Sequence, residues 1–350
     1  MSTVPLDRKS SEPLNNLDAR YWYLYGEAHD FSDFISRHPG GQQAICLGRG
    51  RDCTALFESY HTRLPSKELL SKYKVKPTGA ATSNNVYCNN DTFTFNEEDF
   101  YHTLKRRAVQ YFERNNYQHT KGGCNEIFWW IVNVLVFVVS GYFSFRMVVP
   151  IPFVSAVCAI IWGVSKSLMV IRSTHGASHY AFSNFPRFNR FVYWFNMCLV
   201  GDTPQQWTAK HVLAHHIDTN ITPIDDDTMY PIKRVLSSYD RYWYHAYQHV
   251  YIWFLYFFVY LPWTISHNIK FIYGALFNHG KIYESVVECY YNSLLDYLES
   301  VSCIIVTHCI RLLPFFCLPT WTHAIIIALI AEFSSSVWFS LQFAVNHEVL

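Results

Sequence analysis

The sequence predicts a small globular unit over residues 21–77 followed by an all-α, multi-span membrane region, and three observations carry that expectation. Hydrophobic residues make up 50% of the 350 residues and aromatic ones 18%, with the first third polar and the remainder strongly apolar. Residues 127–145 (IFWWIVNVLVFVVSGYFSF) run without a charge, close to the ~20 residues that cross a bilayer core. Basic and acidic residues balance, 28 against 27, which excludes a broad polycation built for nucleic acid. The hydrophobic content also excludes a disordered chain.

Along the chain, Met1 to Arg20 is a polar tail without an apolar core, so no signal peptide is expected and the N-terminus is expected in the cytosol. Residues 78–97, rich in Thr, Ser and Asn, read as a linker. Residues 98–117 read as a basic amphipathic helix lying on a membrane surface. The first span, 127–145, turns at Arg146, Pro150 and Pro152 into a second, 151–171, whose Lys166 is expected to snorkel. Basic residues before the first span and after the second put both flanks in the cytosol. Further apolar stretches lie at 250–265, 301–319 and 321–345. Ten scattered cysteines without a C-x-x-C pair read as reduced small hydrophobes.

Seventeen histidines are the anomaly, and two constellations use them. The first is His38-Pro39-Gly40-Gly41, then Gly48, Arg49, Gly50, Arg51 and Asp52, with His61 farther on. Axial haem ligation needs two imidazoles facing one iron, each on a rigid turn with apolar surroundings. Ile45, Leu47, Leu56 and Phe57 could supply those surroundings, although the same pattern also suits a tight turn with a surface histidine. The second constellation is His175-x-x-x-His179 with His211-x-x-x-His215-His216. Positions i and i+4 share a helix face, so each group could aim two imidazoles at one metal, with His216 one step round for a second metal or a bridge. Imidazoles suit iron, copper or zinc.

The stretch WYLYGEAHDFSDFISRHPGG…GRDCTALFESYH resembles a cytochrome b5 domain, an α+β haem protein, and the resemblance implies haem b held by His38 and His61. Such a domain passes single electrons and does no substrate chemistry itself. HGASH and HVLAHH followed by IDTN, joined to that domain, resemble the front-end membrane fatty acid desaturases, a histidine-box di-iron family. The implied architecture is a b5-like domain (21–77) and a membrane desaturase domain (98–350). The implied metal ligands are His175, His179, His211, His215 and His216, holding two non-haem irons. The implied reaction uses O2 and two electrons to place a double bond between an existing one and the carboxyl end of an acyl chain. The implied partners are an acyl lipid or acyl-CoA, O2, the membrane and an NADH-cytochrome b5 reductase. The implied location is the endoplasmic reticulum, with haem domain and boxes on the cytosolic side.

Two departures from that family are expected to matter. Gly176 stands where many relatives have an acidic residue, loosening support of the first box. The family's third box, Gln-x-x-His-His, is absent, so the domain reads as C-terminally incomplete and the second iron as short of imidazoles. His347 is a sixth candidate ligand, and Asn346 a candidate to hold a water there. If His347 shares the cytosol with the boxes, one of the three later apolar stretches does not cross; 250–265, interrupted by Pro262, is the expected one. A contact of His308 or Arg311 with Glu332 is expected in the remaining hairpin, because charges in a bilayer need partners.

Asp225, Asp226 and Asp227 read as a solvated acidic loop rather than support for the second box, and Trp207 as an acyl-channel wall or plain packing. Asp30, Asp33, Asp52 and Glu58 are candidates to steer a basic electron donor. Two other functions stay open: a b5-fused sphingolipid desaturase or lipid hydroxylase, and an inactive fragment acting only in electron transfer.

Overall fold

The computed structural model describes residues 17–76, 93, 95–96, 98–117, 121–221, 225, 232–235, 237, 239–284 and 287–347. The polar tail up to residue 16 and most of the expected linker lie outside the described residues. The chain separates into two compact units, Met1–Thr120 and Lys121–Leu350.

In the first unit β1 (Trp22–Leu24) pairs antiparallel with β2 (Glu27–His29), Trp22 opposite His29. Their turn holds Tyr25 at φ 51° and Gly26 at φ 78°, the left-handed pair that matches the twist of a tight hairpin. A 3-10 turn over Ser32–Arg37 leads to His38; α1 (Gln42–Cys46), α2 (Thr54–Tyr60) and α3 (Lys67–Ser71) follow. Trp22, Leu24, Phe31, Leu47 and Leu56 are each buried, with the rings of Trp22 and Phe31 edge to face at 5.6 Å. The indole of Trp22 donates to the Ile45 carbonyl at 2.6 Å, tying the hairpin to α1.

Helix α4 (Phe100–Arg114) belongs to this unit. Its Tyr101, His102 and Lys105 all contact Glu58 of α2. A buried carboxylate requires such partners, and they draw one face of α4 onto the haem-type domain.

The second unit begins with α5 (Cys124–Arg146) and α6 (Pro152–Leu168). A π-helical turn, Met169–Thr174, leads into α7 (His175–Ser178). Then come α8 (Pro186–Val200), α9 (Pro204–Trp207) and a second π-helical stretch, Thr208–His215. Beyond these lie α10 (Gln248–Tyr256), α11 (Tyr260–Phe277), the small ladder β3 (Tyr283–Glu284) with β4 (Val287–Glu288), α12 (Leu294–Cys317) and α13 (Trp321–His347). Among the described residues four helical segments are long and apolar enough to cross a membrane: Cys124–Arg146, Pro152–Ser178, Leu294–Cys317 and Trp321–Asn346. The stretch 250–265 is not among them, because its helix breaks between Tyr256 and Tyr260.

Small residues let α6 and α13 approach closely. Ser155, Ala159, Gly163 and Ser167 recur every fourth residue on α6, and a Cβ on Gly163 would collide with the Ala331 carbonyl. Ser167 Oγ donates to the Ser335 carbonyl at 2.7 Å. Between lipid-facing helices, where hydrophobic burial gives little drive, close backbone contact and such bonds hold the pair. Glu332 accepts from Arg311 Nη2 and Lys166 Nζ, each at 2.8 Å. The expected Arg311–Glu332 contact is therefore present. His308 instead meets Asn268, its Nε2 2.9 Å from the amide nitrogen. Lys166 does not snorkel, because the carboxylate of Glu332 gives it a partner at depth.

Candidate haem and metal sites

His38 and His61 sit at two turns of the first unit, after the 3-10 turn and at the end of α2. Their ring centres are 6.2 Å apart. Two metal–nitrogen bonds of roughly 2 Å each, plus the offset of each nitrogen from its ring centre, account for that separation. Each Nδ1 lies beside a backbone carbonyl, His38 at 3.1 Å from Gly41 O and His61 at 2.8 Å from Phe57 O. A carbonyl only accepts, so each Nδ1 carries the proton, the tautomer in which Nε2 is the metal-binding nitrogen. Gly40 makes room: a Cβ there would come within 2.8 Å of His38 Cε1. Burial, the largest cause, pushes the His61 imidazole below its ordinary pKa and favours the neutral ligand form. The residues fit a haem held by two imidazoles.

Of the acidic residues considered for steering an electron donor, Glu58 drops out. It is 1% exposed, and its carboxylate is taken up by Tyr25, His102 and Lys105.

In the second unit His175, His179, His211 and His216 converge, their ligand atoms all within 4.8 Å of one another. His211 Nε2 and His216 Nε2 stand 3.0 Å apart. The second group differs from the expected i, i+4 pairing. The Thr208–His215 stretch is π-helical, and the His216 amide donates to the His211 carbonyl, a five-residue step. The wider turn places His211 and His216 on one face. π-turns of this kind recur at functional sites because they re-aim side chains.

His215 is not in the four-donor group. Its Nδ1 lies 3.0 Å from Asp225 Oδ2, and Asp225 also accepts from the Asn220 amide at 2.7 Å. Asp225 is 3% exposed, so it is no part of a solvated loop; Asp226 and Asp227 lie outside the described residues. A buried carboxylate on Nδ1 fixes the ring and leaves Nε2 free of that proton, the arrangement that supports metal-bound histidines. The side chain of His347 also lies outside the described residues, and only its backbone, at the end of α13, is placed. Burial, then the neighbouring imidazoles of His216, His175 and His211, pushes the His179 pKa down to about 2. Neutral imidazoles are what a metal needs. The donor set fits iron, copper or zinc.

His175 and His211 open onto a cavity of about 470 Å³ walled by Val170, Ile171, Trp207, Trp263 and Phe339, with Asn346 also on its lining. Trp207 lies against both His211 and Trp263, with ring centres at 4.6 and 5.7 Å, so it walls the cavity and packs at once. His267 is on the same wall, its Nδ1 2.7 Å from Asp202 Oδ1 and its Nε2 3.6 Å from Glu284 Oε2. Sequence reasoning missed this carboxylate-flanked histidine. Its partners are 65 residues before it and in the β3 ladder, so no local spacing announces it. At Gly176 a Cβ would make only ordinary contacts with Phe182 at 3.9 Å, and packing does not demand glycine there.

The fold and these sites define a haem-type domain joined to a polyhistidine membrane protein. The cytochrome b5-like heme/steroid binding domain family matches residues 12–77. Over the longer chain, "Probable Delta(5) fatty acid desaturase C" of Dictyostelium discoideum is 30% identical across 69% of this chain and 52% of its own length. "Acyl-lipid (8-3)-desaturase" of Physcomitrium patens is 28% identical across 69% of this chain and 51% of its own. "Cytochrome b5-related protein" of Drosophila melanogaster is 28% identical across 57% and 40%. No solved structure matches. The chain thus carries a cytochrome b5-like domain and is homologous to b5-fused front-end acyl-lipid desaturases over about 69% of its length. It spans about half the length of the curated relatives it matches.

Proposed function

We propose that this chain takes part in O2-dependent, front-end desaturation of a fatty acyl chain, with electrons delivered by its own b5-type haem. The observation that carries the reading is the meeting of four imidazoles with an apolar cavity. His175 and His211 belong both to the donor group and to the wall of a space that suits a methylene chain. Non-haem iron supplies the oxidising power to break unactivated C–H bonds, which no side-chain acid or base can do. The chain's own residues do the rest. His175, His179, His211 and His216 hold one iron, and His215, oriented by Asp225, offers an imidazole toward a second. Trp207, Trp263 and Phe339 exclude water and align the acyl chain past the donors. His38 and His61 hold the haem, which passes single electrons taken from an NADH-dependent b5 reductase. The substrate is an acyl lipid or acyl-CoA, and the location is the endoplasmic reticulum with both sites facing the cytosol.

The test is haem and non-haem iron stoichiometry on the purified chain, beside lipid analysis of cells expressing it. One haem, non-haem iron that disappears on His179→Ala, and a new double bond are expected. Haem without non-haem iron, and an unchanged lipid profile, would overturn the enzymatic reading.

A further inference from the structure

Helix α4 lies beyond the segment that the b5-like family matches, yet its contacts bracket the axial ligand His61 on both sides in sequence. Three residues before His61, Glu58 is buried on α2. Tyr25 Oη donates to its Oε1 at 2.6 Å, and His102 Nε2 stands 3.1 Å from Oε2. Lys105 Nζ donates to both the Glu58 carbonyl, at 2.7 Å, and Oε2, at 3.3 Å, while Tyr101 Oη donates to the same carbonyl at 2.9 Å. Two residues after His61, Arg63 forms an ion pair with Glu113 at the far end of α4. Beside these clamps His61 Nδ1 donates to the Phe57 carbonyl, and the Phe57 ring lies 4.5 Å from the imidazole. Tyr25 closes the circuit, edge-on to Phe57 at 6.4 Å.

An ordinary surface carboxylate at this place would leave α2 ending in solvent. Here the buried carboxylate, one lysine and one imidazole tie the ligand-bearing end of α2 to α4. Burial makes each partner strongly dependent on the others, since a lone buried charge is costly. The tie also sets charges of both signs near the haem ligand, within range to act on the redox centre.

We propose that α4 is a working part of the haem site, with Glu58 and Lys105 as positioning residues that hold His61 and set both the retention and the reduction potential of the haem. The inference rests on His38 and His61 being the haem ligands. Removing the cation and removing the anion have opposite electrostatic consequences: Lys105→Met leaves excess negative charge and lowers the potential, and Glu58→Gln leaves excess positive charge and raises it.

The experiment uses the full chain in detergent, loaded with haem, and measures the midpoint potential and the rate of haem transfer to excess apomyoglobin. Opposite potential shifts are expected for Lys105→Met and Glu58→Gln. Haem transfer should be about tenfold faster in each, the scale of one lost charged hydrogen bond. Lys105→Arg should restore both quantities. Glu113→Gln, on an exposed pair, keeps the test open if the buried variants misfold, and roughly twofold faster transfer is expected. Unchanged potentials and transfer rates, or shifts of the same sign in both buried variants, would overturn the positioning role. A His61→Ala chain that keeps a two-imidazole spectrum would instead overturn the haem-ligand reading itself.

Discussion

The two histidine clusters bring imidazoles together by different means. In the haem site each ring is held by a carbonyl of its own turn, Gly41 for His38 and Phe57 for His61. The Nδ1 partner of each ring is therefore found within three or four residues of its histidine. In the helical unit the four donors come from two separate segments, His175 and His179 from one, His211 and His216 from another. Their meeting depends on tertiary packing and on a π-helical turn. A ring anchored in its own turn depends on fewer segments than a group of donors brought together from two.

Removing one of the assembled donors should break the contrast most severely. His179→Ala or His211→Ala is expected to cut non-haem iron affinity by more than about a hundredfold while leaving the haem spectrum unchanged. Metal analysis beside the reduced-minus-oxidised spectrum checks both halves, and a parallel loss of haem would mean that the two sites do not stand apart. Next comes the charge cluster that ties α6, α12 and α13. Glu332→Gln leaves Lys166 and Arg311 without their carboxylate. A cost of roughly 3–5 kcal/mol is expected for breaking a buried pair, read as a lowered melting temperature of the helical unit in detergent. A smaller effect belongs to Asp225→Asn. It keeps the shape but weakens the hold on His215 Nδ1, and should lower metal affinity about 10–100-fold. If iron binding proves indifferent to Asp225, the support assigned to it is wrong.

The same contrast explains what the sequence made legible. His38 and His61 were paired through the resemblance to a b5 domain, the spacing alone leaving a surface turn open, and the fold brings their rings to 6.2 Å while Gly40 answers to a contact with its near neighbour His38. The membrane hairpin α5–α6 was legible from uncharged runs, and Arg311–Glu332 from the rule that charges at depth need partners. The second box was read with the wrong helical period. An i, i+4 rule pairs His211 with His215, and nothing in TAKHVLAH announces a π-turn that pairs His211 with His216 instead. Asp225 was misjudged because three consecutive aspartates look solvated, and only the fold shows one of them buried against His215. Lys166 was read as snorkelling because its partner is 166 residues away.

The gentlest test is acid. Burial holds His61 below the ordinary imidazole value near 6.5, so the unfolded chain takes up a proton there before the folded chain does. A folded-state pKa below the unfolded one means that the stabilisation is complete above the unfolded value and declines as pH falls through the folded one. Acidification from pH 7 should therefore loosen the haem domain progressively below about 6.5, and the protonated ring would lose its iron. In the local site the Phe57 carbonyl, accepting from Nδ1, partly offsets the effect of burial by favouring the protonated ring. In the assembled site burial, and then the neighbouring imidazoles of His216, His175 and His211, hold His179 low. Four imidazoles compete there for protons against one metal, and two in the haem pair, so metal loss with falling pH should be steeper in the helical unit than haem loss in the first. Parallel titrations of non-haem iron content and the Soret band on one sample decide it; coincident curves would erase the distinction between local and assembled ligation.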